Sequence, residues 1–554
     1  MTGRCTLAAL SVALCCTIAV SQEKKEPPRR EISVGQDSSA SRALPKIDLP
    51  EFVITGKEAI ELPGFAKEPA TGNGVYDPAA NRRGPGGREP GRVDLGLRKD
   101  QADIAPPSNG FNGKVSLGYG SYHSPLFDAW FGQAYGTADF LLRAGYRGSD
   151  GFADNTGFRN GFTSLHGGLT LPGESVIGRG EGEVALQGDS YHLYGSATPG
   201  RERTVTRFST DLGLRSGYAD RGAFTAGVHL HAASVRDSME SRETLVGLDG
   251  SFRTNVGDLE VRTEAGLWSD IYSAPTASPD PYFATIGGFL RGSPVSQLEL
   301  DGGVMFYLVH GTDGGPVARL YPRLSLSWFV TDHATLFVRF DPSVVRRSLS
   351  SLFADNPYLW NDIAIRHTEY PVAIAAGVEA DVASGVRGRV ALRYERATNL
   401  PQFTDMDSLS TAIWSVEYSG TTRIISLEGG LFADLTPRDN LGLTLSFRST
   451  RNTDTDRGVP YLPGGLVGAV YHHRFPFGLT AGSTLQFVGS QFVDRHESRS
   501  LPAFAVLSVD LEYEIVSPFH IFLSIDNLLS ADQRRFDAYQ GRPRVLTAGA
   551  NYSW

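Results

Sequence analysis

Cysteine is nearly absent from this 554-residue chain, which contains only Cys5, Cys15 and Cys16. A basic Arg4 precedes an apolar run from Leu7 to Val20, and this run is too short for a membrane-spanning helix. We therefore predict that residues 1–22 are a secretory signal peptide. The mature chain would then have no cysteine, which excludes disulfides and thiolate metal sites.

A lipid anchor on one of these cysteines is disfavoured. Acylation requires a small residue just before the cysteine, but Leu14 precedes Cys15 and Cys15 precedes Cys16.

Three further features are missing from the sequence. After the signal peptide no hydrophobic run is long enough for a spanning helix. The formal net charge is −9 and there is no basic stripe, so we expect no nucleic-acid partner. No nucleophile elbow, phosphate-binding loop or His-Glu-x-x-His motif occurs, so we predict that the protein is not an enzyme. A hydrolase whose catalytic residues are scattered along the chain remains an alternative.

Segments with strict alternation of apolar and polar residues occur throughout the chain from about residue 111. The last one, Val545 to Trp554, places Leu546, Tyr552 and Trp554 on one face and polar or small residues on the other. The same period of two recurs in Lys114–Tyr119, Leu441–Arg448 and Leu507–Ile515. Repeated alternation ending on a terminal aromatic residue is typical of a transmembrane β-barrel with lipid outside and water inside.

The connections between these segments alternate between short and long, which favours an outer-membrane barrel with tight periplasmic turns and longer extracellular loops. We predict an all-β fold, a transmembrane antiparallel barrel of about 22 strands, with 18 or 20 as alternatives, over residues 109–554. A soluble β-sandwich, propeller or solenoid is the competing fold, but no blade-length repeat is visible. The short turns are Pro172–Glu174, Asn255–Asp258, Ser293–Pro294, Thr331–His333, Ala383–Gly385, Pro437–Asn440, Phe475–Phe477 and Ser517–Pro518, and the long loops are Ser149–Arg159, Asp237–Arg242, Ser348–Asp362, Ala397–Ser408, Arg451–Gly458 and Ser530–Arg542.

The segment between the signal peptide and the barrel, residues 23–108, is rich in proline, glycine and charge. Such a composition cannot bury enough apolar surface to offset its ordering entropy, so we predict a disordered periplasmic segment. It contains one β-prone hexapeptide, Glu51, Phe52, Val53, Ile54, Thr55 and Gly56, between Pro50 and Pro63.

The barrel region resembles TonB-dependent receptors of bacterial outer membranes. Ile525–Leu529, Arg535–Phe536 and Gly541–Pro543 are similar to stretches near the end of those barrels, and Val459–Pro463 is similar to the opening of a descending strand. Further back, Ala354–Leu359, followed by Glu369 and Gly377–Glu379, is similar to another stretch of the family's barrel. The resemblance implies an outer-membrane location and a role in transport through the lumen. The family's globular plug domain has no recognisable counterpart, because residues 23–108 are too few and too low in complexity.

The hexapeptide Glu51–Gly56 resembles the TonB box, a segment that pairs with a strand of the energy-transducing partner. The resemblance implies that Glu51, Phe52, Val53, Ile54, Thr55 and Gly56 bind TonB or another periplasmic protein by strand addition. A chance β-prone hexapeptide or a plug remnant is the alternative. The other expected partners are outer-membrane lipid and, through the C-terminal strand ending at Trp554, the barrel assembly machinery.

A barrel of about 22 strands is wide enough to leak unless its lumen is filled. Residues 23–107, inward-folded loops or a separate protein are the candidates. The competing functions are a structural or assembly barrel that anchors a partner complex, and a passive porin. The sequence does not identify the substrate.

His229 and His231 lie two residues apart on one strand and are predicted to face the lumen, because Val228 and Leu230 occupy the other face. Two imidazoles could bind zinc or copper if a third ligand came from a neighbouring strand. The sequence does not reveal that ligand, so we expect ordinary water-facing histidines, with no metal and no cofactor.

Overall fold

The computed structural model describes residues 111–171, 176–216, 222–275, 280–405, 412–418 and 420–554. Within these ranges the regular secondary structure is almost entirely β-strand, with a single short helix. No described helix is long and apolar enough to cross a membrane.

Twenty-two antiparallel strands form one closed barrel, as predicted. Each barrel strand pairs with the barrel strands that precede and follow it in the chain. One of them consists of two parts, Ala334–Phe340 and Ser343–Val345, separated by Asp341 and Pro342. The remaining described elements are three small hairpins and one short helix, all inserted in loops. In chain order the elements are β1 Phe111–Gly120, β2 Ser124–Tyr135, β3 Ala138–Ser149, β4 Phe158–Thr170, β5 Ile177–His192, β6 Glu202–Ser216, β7 Ala223–Arg236, β8 Glu240–Val256, β9 Leu259–Ser273, β10 Tyr282–Val295, β11 Leu298–His310, β12 Val317–Thr331, β13 Ala334–Phe340, β14 Ser343–Val345, α1 Leu349–Asp355, β15 Thr368–Ala383, β16 Val386–Thr398, β17 Gln402–Asp405, β18 Trp414–Glu417, β19 Thr421–Thr436, β20 Asp439–Asn452, β21 Gly465–Arg474, β22 Leu479–Val488, β23 Gln491–Phe492, β24 Ser500–Leu501, β25 Phe504–Val516, β26 Phe519–Asp526, β27 Arg534–Phe536, β28 Tyr539–Gln540 and β29 Val545–Ser553.

The first and last strands close the ring. β1 pairs with β29 in a register that runs from Lys114 opposite Ser553 to Gly120 opposite Thr547. Closure leaves no sheet edge with unpaired backbone N–H and C=O groups, which lipid could not satisfy.

The faces of the strands follow the predicted alternation. In β29 the side chains of Leu546 and Tyr552 point outward and are 47% and 49% exposed, whereas Asn551 points inward and is buried. Exposed leucine, valine and isoleucine side chains recur on the outer face of most strands. Such a continuous apolar outer surface is stable only in contact with lipid.

Connections differ between the two ends of the barrel. At one end, the turn end, several connections have two residues, and Gly257 has a φ of +62° in the turn between β8 and β9, a backbone conformation that glycine adopts without strain. At the other end, the loop end, the connections are longer, and they include the loops 346–367 and 527–544. The first residue of β1 and the last residue of β29 both lie at the turn end.

One predicted turn lies elsewhere. Ser293 and Pro294 belong to β10, at a break in register between Gly292 and Val295, and the turn itself follows at 296–297. Proline has no N–H to donate to a ladder and is therefore accommodated at such bulges. The turn predicted at Pro172–Glu174 lies outside the described residues.

The outer face of β8 provides a test of this orientation. Leu248, at the midpoint of β8, points outward and is 50% exposed, whereas Ser251 points into the lumen and contacts the hydroxyl of Thr225. We predict that Leu248→Arg destabilises the refolded barrel by about 2–4 kcal/mol, because it places a cation in the hydrocarbon. Ser251→Arg, whose side chain would lie in water beside Glu264, should change the free energy of unfolding much less. Urea unfolding in lipid vesicles measures both, and equal destabilisation would contradict the assigned faces.

Candidate functional site

The lumen wall carries many charged side chains, and several of the described ones form ion pairs between different strands. Arg207 on β6 lies 2.6 Å from Asp189 on β5, and Arg179 on β5 lies 2.8 Å from Asp139 on β3. Arg323 on β12 contacts Asp341 at the break between β13 and β14. A wall of this kind is suited to water and polar solutes, which is what a transport path requires.

One long loop turns inward at the loop end. This segment, residues 346–367, is called the helix loop because it contains α1. Ser348 caps the helix in a capping box with Ser351, which satisfies free N–H groups of the first turn. Leu349, Leu352 and Phe353 of the helix are buried. Because its helix is buried, this loop is packed into the structure and is not an exposed surface loop.

The N-terminus of α1 rests on a carboxylate of the barrel wall. The backbone N–H groups of Leu349 and Ser350 donate to the two oxygens of Glu243, at 2.7 and 3.3 Å. Glu243 lies on the inner face of β8 and is only 4% exposed. A negative charge at a helix N-terminus is stabilising, because free N–H groups and the helix dipole both favour it. This contact fixes the helix against the wall.

Carbonyl groups of the helix loop accept hydrogen bonds from several strands of the wall and from the loop after β11. The carbonyl of Pro357 accepts hydrogen bonds from the Tyr191 hydroxyl at 2.6 Å and from Arg203 at 2.9 Å. Arg203 is fully buried and also pairs with Asp237 at 2.6 Å. Further hydrogen bonds run from Ser241 to the Asn361 carbonyl, from Tyr272 to the Ile363 carbonyl and from the Thr312 amide to the Ile365 carbonyl. The helix loop is therefore anchored to the wall from β5 to the loop after β11.

Aromatic side chains from four loops meet beyond these anchors. Tyr358 of the helix loop stacks on Tyr539 with ring centroids 3.5 Å apart. Trp414, completely buried, contacts Tyr461 and Phe536, each with centroids 5.5 Å away. Backbone hydrogen bonds also join Trp360 to Trp414 and Trp414 to Tyr358. We call these five rings, Tyr358, Trp414, Tyr461, Phe536 and Tyr539, the aromatic cluster.

The helix loop, the aromatic cluster and the loops that carry it form a lid at the loop end of the barrel. Buried apolar residues of this lid form one continuous core with wall residues such as Phe158 and Val235. Val493 and Leu501, from the loop that carries β23 and β24, belong to the same core. The lid thus connects loops from well-separated positions around the ring.

A buried histidine lies where the helix loop returns to the wall. His367 precedes β15, and its Nδ1 accepts a hydrogen bond from the Arg347 amide at 3.2 Å. Its ring contacts Phe283 with centroids 5.3 Å apart. Burial lowers the pKa of His367 to about 4 from an ordinary value of 6.5, because the charged imidazolium would lose its hydration there.

The segments selected from the sequence have different outcomes. Glu51, Phe52, Val53, Ile54, Thr55 and Gly56 lie outside the described residues, so their binding role stays a prediction. Ala354–Leu359 and Arg535–Phe536 both belong to the lid. Val459–Pro463 does not open a strand: β21 begins only at Gly465, and Tyr461 is instead held in the aromatic cluster by its packing. His229 and His231 face the lumen as predicted, since Val228 and Leu230 are exposed on the outer face.

The sequence did not identify the lid's central residue. The loop predicted at Ala397–Ser408 lies between β16 and β19, and its described part contains Trp414 in β18. A tryptophan within a polar loop is a signal for burial, because tryptophan is highly buried on average, but the partners of Trp414 lie far away in sequence.

No family model and no curated protein matches the sequence. Solved structures do match the fold. The FrpB iron transporter from Neisseria meningitidis (F3-3 variant) has a TM-score of 0.63 at 11% identity, over 81% of this chain and 82% of that chain. The ferric-catecholate import receptor Fiu from E. coli K12 has a TM-score of 0.62 at 11% identity, over 81% and 82%. A mutant of the ferric enterobactin receptor PfeA from Pseudomonas aeruginosa has a TM-score of 0.62 at 12% identity, over 80% of each chain. The resemblance to TonB-dependent receptors is thereby confirmed for the barrel fold.

The aromatic cluster can be tested by removing its central ring. Trp414→Ala should loosen the lid by about 3–5 kcal/mol, the usual cost of emptying such a buried site. We predict larger and more frequent conductance steps in planar bilayers than for the unchanged protein. Trp328→Ala is the matched control, because Trp328 is on the outer face and 49% exposed. Identical conductance of the Trp414 variant and the control would show that the lid does not restrict the lumen.

The depressed pKa of His367 predicts a pH dependence of the lid. The closed lid holds His367 neutral, whereas an opened lid would let it take up a proton below pH 6.5. The lid is therefore fully stable above pH 6.5 and loses up to about 1.4 kcal/mol for each pH unit between 6.5 and 4. Open probability in bilayers should rise over this range, and His367→Gln should flatten the rise. His333→Gln, on a turn at the opposite end, should not. A rise that is unchanged in His367→Gln would refute this assignment.

Proposed function

We propose that the chain is an outer-membrane transport protein of a bacterium, in which solutes cross through the lumen and the lid of long loops closes the outer mouth. The observation that carries this proposal is the lid itself: several loops meet over a wide barrel and are anchored to its wall. A simple membrane anchor needs no packed closure across its lumen. The fold shared with transporters and import receptors supports the same conclusion.

The direction of the barrel in the membrane follows from its two ends. Short turns face the periplasm and long loops face outward in barrels of this type. Because β1 begins at the turn end, the proposal includes a periplasmic location for residues 23–108. A cleaved signal peptide at residues 1–22 and insertion by the barrel assembly machinery through the strand ending at Trp554 complete this proposal.

The energy for opening would come from a periplasmic partner. The hexapeptide Glu51–Gly56 is short, β-prone and bounded by prolines, which suits addition to an exposed strand of TonB through main-chain hydrogen bonds. Its place ahead of the barrel leaves a long tether between it and β1. In this proposal, binding of the partner to Glu51–Gly56 precedes displacement of the lid or of residues 23–107 from the lumen.

A proline substitution tests the hexapeptide directly. Val53→Pro removes a backbone N–H donor from the predicted added strand, so we predict loss of pull-down by the periplasmic domain of TonB. Val75→Pro, in the same segment but outside the hexapeptide, is the control and should bind normally. Both variants should assemble into heat-modifiable barrels. Equal pull-down of both variants would contradict binding of TonB by Glu51–Gly56. Lack of binding by the unchanged protein as well would favour a structural barrel or a passive porin.

A further inference from the structure

Four polar side chains on three adjacent strands meet on the lumen wall. Asp211 on β6 is directly opposite His229 on β7, and His231 lies two residues further along the same face. Asp249 on β8 is opposite Gly227 of β7. The barrel register thus supplies the carboxylate ligand that the sequence did not reveal.

Two imidazole nitrogens converge on one carboxylate oxygen in this cluster. Nδ1 of His229 is 2.5 Å and Nε2 of His231 is 2.9 Å from Oδ1 of Asp211. One ligand atom from each of the three residues lies within 4.8 Å of the others. Two imidazoles and one carboxylate are a donor set that zinc and related divalent ions prefer, with metal–ligand distances of about 2.0–2.2 Å. Small rotations of the side chains would open the center of this triad to an ion.

Neighbouring side chains hold His229 in one orientation, as such neighbours do for histidine ligands in metal sites. The second ring nitrogen of His229, Nε2, contacts a carboxylate oxygen of Asp249. Histidine ligands almost always donate their other N–H to such a group, which fixes tautomer and ring orientation. Trp268 stacks on His229 with centroids 4.8 Å apart and planes 25° from parallel.

Two glycines leave room for this arrangement. A Cβ at Gly247 would lie 2.1 Å from the Trp268 ring, and a Cβ at Gly227 would lie 2.8 Å from both the His229 ring and Asp249. Any other residue at either position would displace the stacked ring or the second carboxylate. The absence of a side chain at Gly227 and at Gly247 therefore leaves room for the cluster.

The cluster remains accessible from the lumen. The side chains of His231 and Asp211 are 39% and 40% exposed, whereas His229 is only 17% exposed. An ion would thus be held by the less exposed His229 on the wall side, with water at its open coordination position on the lumen side. Trp268 also lies 4.2 Å beneath the guanidinium of Arg346, the first residue of the helix loop. The cluster therefore lies next to the base of the lid.

We infer that Asp211, His229 and His231 bind one divalent transition-metal ion of the zinc class on the lumen wall, with Asp249 as the positioning residue for His229. This ion would be a resident of the wall, whichever solute crosses the lumen. Without metal, the same groups form a hydrogen-bonded cluster.

Zinc titration of the refolded full chain, purified without a histidine tag, tests this inference. Isothermal calorimetry should show one zinc ion per chain with micromolar affinity. His229→Ala and Asp211→Asn should abolish that binding, and Asp249→Asn should weaken it about 10–100-fold. His166→Ala is the matched control, because His166 belongs to β4 opposite Glu183 and lies outside the cluster. Zinc binding that persists in His229→Ala, or no binding by the unchanged chain, would overturn the site.

Quenching of tryptophan fluorescence by copper(II) provides a second test, in case the first variants assemble poorly. Copper(II) quenches tryptophan fluorescence at short range, so part of the quenching should come from Trp268. We predict that Trp268→Phe removes the saturable quenching component while leaving zinc stoichiometry unchanged. His231→Ala, at the more exposed side of the cluster, should lower the copper affinity at least tenfold in barrels that pass the heat-modifiability check. Unaltered quenching in both variants would also contradict the site.

Discussion

The described structure depends on closure of the hydrogen-bonded ring between β1 and β29. Lipid offers no partner for backbone N–H and C=O groups, so a sheet in the membrane must have no free edge. The pairing of Lys114–Gly120 with Thr547–Ser553 completes the ring. Once the ring is closed, the alternation of each strand assigns apolar side chains to lipid and polar side chains to the lumen. That assignment places the charged wall, the cluster of Asp211, His229 and His231, and the anchors of the lid on the same inner surface.

A ring of this size creates a second requirement, because its lumen is too wide for wall side chains to fill. The lid meets it at the loop end by combining two kinds of interaction. Buried polar contacts, such as Glu243 with the start of α1 and Arg203 with the Pro357 carbonyl, fix the helix loop in one position. Stacked aromatic rings then join it to loops from the far side of the barrel. Polar contacts set the geometry, and the apolar core supplies most of the burial.

The sequence predicted the barrel well because strand alternation and turn chemistry are local. A period of two assigns faces within one strand, which is why His229 and His231 were correctly placed in the lumen. The position of Asp211 beside them depends on the register between β6 and β7, which no local pattern specifies. Inward-folded loops are among the candidates that the sequence offers for filling the lumen, but the contacts within the lid could not be predicted, for a related reason. Trp414 and Tyr539 meet only after the ring has closed, so their contact leaves no periodic signal in either loop.

Conductance of a trimmed protein tests most directly whether the lid restricts the lumen by itself. Residues 23–107 would be removed, and the remaining barrel reconstituted in planar bilayers beside the mature full-length chain. If the lid closes the outer mouth, the trimmed barrel stays at low conductance, with only brief openings. A large, steady, ohmic conductance on trimming alone would contradict this account and would assign closure to the N-terminal segment instead.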